Sequence, residues 1–138
     1  MKTIRITLSI ALLALVSTMF AQTSPGDVVA DVPFAFTVAG ETFPAGRYIV
    51  KPADEHSVRI FRPQTTGIFV PTHASVKTTS DETKLVFHRY GDSYFLAEVW
   101  NGGGIGKELF RSKAEKEIIA RLNGSRPKAE VAVLRPER

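Results

Sequence analysis

Apolar side chains recur at every second position through most of this chain. In VVADVPFAFTVAG, Val32, Phe34, Phe36 and Val38 alternate with Asp31, Pro33, Ala35 and Thr37, and a period of two puts one face of a strand into a core. Pro33 has no N–H to give a ladder, which predicts an edge position. Ala39 and Gly40 then supply a two-residue turn that sets Phe43 opposite Phe36. Phe43-Pro44-Ala45-Gly46 predicts a type I turn, with Pro at its second position and Gly at its fourth. RYIVKP, SVRIFRP (57–63) and GIFVPTHASV (67–76) follow as strands, each stopped by Pro, Gly, Asp or Thr clusters.

TTSDET (78–83) is polar and predicts an exposed link. LVFHRYGDSYFLAEVW (85–100) comes next, and Gly91-Asp92 predicts a hairpin turn in which Gly91 takes positive φ. That turn sets Arg89 against Tyr94, His88 against Phe95, Phe87 against Leu96, Val86 against Ala97 and Leu85 against Glu98. Both faces of the hairpin are then largely apolar, as in a sheet covered on both sides.

NGGGIG (101–106) predicts a flexible loop before a short strand, KELF. The period then changes to that of a helix over 113–123. Ser112 and Glu115 have capping-box spacing, in which hydroxyl and carboxylate each take an unpaired backbone N–H. Ala114, Ile118 and Leu122 share one face, expected to point inward, with Lys113, Lys116, Glu117 and Arg121 outward. Asn123-Gly124 closes the helix. In the charged tail, 124–138, weak alternation at Ala129, Val131 and Val133 fits either a last edge strand or a disordered extension.

These elements predict an all-β domain with one C-terminal helix: an antiparallel β-sandwich or partly closed β-barrel of about seven or eight strands. Its 138 residues, 43% hydrophobic and 23% charged, are the composition of one globular domain. The organisation is a secretory signal peptide over 1–21, a short flexible lead-in over 22–27, and the β domain with its helix over 28–123. The signal is read from Lys2 and Arg5 ahead of an uncharged run, 6–21, that is rich in Leu and Ile. That run is shorter than a stable membrane span, so cleavage after Ala21 is expected, with an uncleaved anchor as the alternative. Met19 is bulky for a position two before the cut.

Cysteine is absent, which removes disulfides, thiol catalysis and thiolate metal sites. Without the signal, 16 basic residues stand against 14 acidic ones, a weak net field that gives no reason to expect nucleic acid. The distribution says more: residues 22–106 hold 7 basic and 9 acidic groups, and 107–138 hold 9 and 5. The positive end is therefore the C-terminal one, explained most simply by a solvated helix face and tail, with binding to an anionic surface as the alternative.

VPFAFTVAGETFPAGRYIV, LVFHRYGDSYFLAEVW and SKAEKEIIARL together resemble an uncharacterised family of small exported β-rich proteins of soil bacteria. The resemblance covers about residues 30–122, with HRYGDSYFL its most specific part. It implies an exported β-rich domain with a C-terminal helix and supplies no catalytic residues.

Candidate chemistry is sparse. NGGGIGK has Asn101 where a phosphate loop needs its first Gly, and Glu108 where it needs Ser or Thr. His56, His73 and His88 lie on three segments without metal-ligand spacing, and Asp54, Glu55 and His56 read as a polar turn. Arg89 is expected to stack on Tyr94; the register keeps it about 13 Å from Glu98. No nucleophile elbow or triad is discernible. No catalytic, cofactor or metal site is expected. The expectation is a non-enzymatic, periplasmic or secreted binding module for an envelope component or a protein partner, with Arg89, Tyr94, Trp100, Lys107 and Arg111 as its contact surface. The alternative is a carrier of a small apolar ligand inside a barrel.

Overall fold

A computed structural model of the chain describes residues 26–77, 82–122 and 128–133. The signal and the link 78–81 lie outside them. The first alternating run gives two strands, β1 (Val28–Val32) and β2 (Phe36–Val38), because Pro33 interrupts it. β3 (Glu41–Phe43), β4 (Gly46–Asp54), β5 (Ser57–Phe61) and β6 (Ile68–Lys77) follow. The hairpin is β7 (Thr83–Tyr90) and β8 (Ser93–Asn101), then β9 (Ile105–Leu109), α1 (Lys113–Arg121) and β10 (Lys128–Val133). Among the described residues there are ten strands rather than seven or eight, since the first run divides and the tail adds β10 against β7.

Among the described residues the molecule is mostly β-sheet with one C-terminal helix, and the sheet does not close. Neighbours run β1-β4-β5-β6-β9-β8-β2-β3, with β7 on the other edge of β8 and β10 beyond it. β8 is the hub. It pairs with β7 along its length, with β9 at Glu98–Trp100, and with β2 at Phe95, the last in parallel. β6 turns from β5 to β9 at a bulge between Thr72 and Ser75. β1 returns alongside β7, β8 and β10, yet no ladder joins it to them among the described residues.

The predicted turn at Ala39-Gly40 forms, and Phe36 pairs with Phe43. Between Phe43 and Gly46 the chain bends without the predicted hydrogen-bonded turn, and the Tyr48 hydroxyl donates to the Pro44 carbonyl. The core fills with rings. Phe36 lies edge-on to Tyr48 and Phe87 at 5.0 and 5.2 Å and stacks on Phe43, while Phe34 stacks on Tyr94 at 3.8 Å. Such pairs contribute about 0.5 to 1.5 kcal/mol each beyond the area they bury.

The hairpin has its predicted turn, with Gly91 at φ 59°. Arg89, His88 and Phe87 face Tyr94, Phe95 and Leu96 as expected, but Val86 faces Glu98 and Leu85 faces Val99. Ala97 is the extra residue of a bulge. The shift of one position turns Glu98 and Trp100 to the outer face beside Val86, His88 and Tyr90, while Leu85, Phe87, Leu96 and Val99 stay in the core. Both faces are indeed covered, the outer one in part by α1.

Ser112 caps α1 in an extended conformation, and its hydroxyl accepts the Glu115 amide at 3.2 Å. Only this half of the capping box forms among the described hydrogen bonds, because the Glu115 carboxylate points into the protein. The predicted inward face is corrected accordingly. Ala114 and Leu122 are exposed, Ile118 is half-buried, and Glu115 is the buried residue of the helix. The expected closure at Asn123-Gly124 lies outside the described residues.

Candidate functional site

Two neighbouring features stand out, a buried polar network under the first turn of α1 and an open groove beside it. The network starts from the pleat of β7, which sends His88 and Tyr90 to one side, two residues apart. Glu115 is 3% exposed. Its Oε1 accepts the Tyr90 hydroxyl at 2.9 Å and lies 3.0 Å from His88 Nδ1. A buried carboxylate is costly unless donors surround it, so these bonds tie α1 to the hairpin. Burial first, then the Glu115 hydrogen bond and charge, push the Tyr90 hydroxyl up to about 12, with Arg111 opposing.

A carboxylate that orients an imidazole is half of an acid–base device. The other half is a reacting group at the second ring nitrogen. Among the described residues no hydroxyl bonds that nitrogen of His88. What the geometry does is seat the helix.

The groove has a volume of about 580 Å³. Val70 and Pro71 of β6, the Ala39-Gly40 turn, and Phe110, Arg111, Ser112, Lys113, Ala114 and Glu117 border it. Alternation along β6 sends Val70 and Thr72 inward and leaves Phe69, Pro71 and His73 outside. The Phe110 ring lies 3.6 Å from the His73 ring and is still 53% exposed. Phe69 is 68% exposed, and Arg59 lies between it and Phe61, 5.9 and 4.9 Å from their centroids.

Of the five residues expected to form one contact surface, Arg89 and Tyr94 meet, while Trp100 and Lys107 take neighbouring register positions of β8 and β9 on opposite faces. Arg89 lies over the Tyr94 ring at 5.5 Å, as expected, and donates to the Gly91 carbonyl. Trp100 is buried. Its Nε1 donates to Glu98 Oε2 at 2.8 Å, and its ring lies so close on Gly106 that a Cβ there would stand 2.5 Å away. Lys107 donates to the Asp54 and Ser57 carbonyls and so braces the β4–β5 turn. Arg111 alone of the five borders the groove.

In the polar turn, Asp54 accepts the Ser57 hydroxyl and the His56 amide, both at 2.7 Å, and these bonds hold its carboxyl below the usual range. No group of three metal-ligating side chains occurs among the described residues. Gly102, Gly103 and Gly104 all take positive φ in the β8–β9 loop, and Lys107 after it is committed to the β4–β5 turn.

Sequence reasoning missed Phe69, Phe110 and Glu115. The alternation of β6 already marked Phe69 and Pro71 as facing opposite to Val70. Nothing in the sequence marked Glu115 as inward. Comparison with protein-family models, with curated proteins and with solved structures gives no significant match.

Proposed function

We propose that the chain is an exported, non-enzymatic binding module of the cell envelope that binds through the outer face around Phe110. The signal-like segment of residues 1–21 supports export. The observation that carries the binding face is the groove bordered by Phe110, an aromatic side chain half exposed beside a concave apolar floor of Val70 and Pro71. Clefts of roughly 300 to 1,000 Å³ serve as ligand sites, and aromatic anchors dominate interfaces. The ring-filled core favours surface binding over carriage inside the sheet, because Phe36, Tyr48 and Phe87 already occupy one another's contact surfaces. A second reading, a carrier of a small apolar ligand, draws support from the groove volume alone.

The test is a pull-down from the native envelope fraction with the tagged mature protein and with its Phe110→Ser variant. An envelope component, protein or lipid, captured by the wild type and lost by the variant, is the expected result. Equal capture by both proteins overturns the assigned face, and a co-purified small molecule in its place favours the carrier.

A further inference from the structure

We infer that this face seats on an anionic phospholipid surface. The inference rests on the binding face proposed above and names its partner. Its apolar line begins on β6 with Phe69 and Pro71 and passes to Phe110 through the His73 contact. From Phe110 it reaches the exposed Ala114 in the first turn of α1, and both border the groove. It stays outward because the inward position of α1 belongs to Glu115, held there by His88 and Tyr90.

The flanks of that line are cationic. Arg111 and Lys113 border the groove together with one acid, Glu117, and Arg121 follows along α1, all of them exposed; Lys116 lies on the opposite side of the helix from Ala114. Apolar side chains bordered by Lys and Arg are the composition of surfaces that lie in a lipid headgroup region. No described helix is long and apolar enough to cross a membrane, and this face needs none, since the contact is peripheral. An acidic protein segment is the competing occupant. Lipid is favoured because Phe69, 68% exposed, stands outside the groove lining, so exposed apolar surface extends past the groove itself.

The test uses the mature chain and sedimenting vesicles of phosphatidylcholine, with and without phosphatidylglycerol. The expected result is partitioning onto the anionic vesicles alone, lost at high salt. Arg111→Gln with Lys113→Gln weakens it about 25-fold, from roughly fivefold per cation near an anionic leaflet. Phe69→Ser with Phe110→Ser removes the apolar part and lowers partitioning about tenfold or more, with an unchanged circular dichroism spectrum. Partitioning that ignores phosphatidylglycerol, or that survives both pairs of substitutions, overturns the inference. A wild type that ignores all vesicles, while the Phe110→Ser variant loses a protein partner in the pull-down, overturns the lipid assignment and leaves the binding face standing.

Discussion

Glu115 has the longest reach of any single side chain here, because one carboxylate oxygen fixes both the helix and the face it presents. Glu115→Ala strands the Tyr90 hydroxyl and His88 Nδ1 in a buried place and is expected to cost about 2 to 3 kcal/mol, measured by urea unfolding. Amide exchange in α1 accelerates with it. Tyr90 adds a pH dependence. Its proton leaves at about 12 in the folded protein and near 10 in an unfolded chain, so its contribution is complete below pH 10 and disappears as the pH rises to about 12. Stability measured across that interval falls more steeply for the wild type than for Tyr90→Phe. Ala39 offers the opposite sign. It sits at φ 51° ahead of Gly40 at φ 82°, a conformation that Asn tolerates and Ala resists. Ala39→Asn is expected to raise stability by about 0.5 to 1 kcal/mol.

Among the elements, the hairpins were the most legible. Ala39-Gly40 and Gly91-Asp92 fix their registers locally, and Phe36 against Phe43 and Arg89 against Tyr94 follow from turn geometry. The bulge at Ala97 was not legible, because it answers to β9, which reaches β8 at Glu98–Trp100. The face of α1 was misread for a related reason. Periodicity found the helix and Ser112 its start, but which side turns inward depends on donors 25 and 27 residues away in β7. The partners of Trp100 and Lys107, which hold them on opposite faces of the sheet, are likewise set by register and not by any local pattern. Tight approach between strands is testable at Gly67, which has φ 73° and where a Cβ would meet the Ile60 carbonyl oxygen at 2.2 Å. Gly67→Ala is expected to cost about 3 kcal/mol or more and to loosen β5 from β6 first, seen as local amide exchange.

For the molecule as a whole, the open sheet makes its last strand matter. β10 covers the free edge of β7, and unpaired edges invite intermolecular pairing. A chain ending at Leu122 is expected to melt at lower temperature and to scatter light at concentrations where the full chain stays clear. The pairing of β8 with three strands has a consequence in time. β2, at residues 36–38, has its parallel partner only when residue 95 has been made, and β9 waits on the same strand. The first half of the chain therefore stays unsettled during synthesis, and folding runs at the pace of distant pairings, in milliseconds to seconds rather than microseconds. Such a nascent chain remains threadable until its ninety-third residue and those after it arrive.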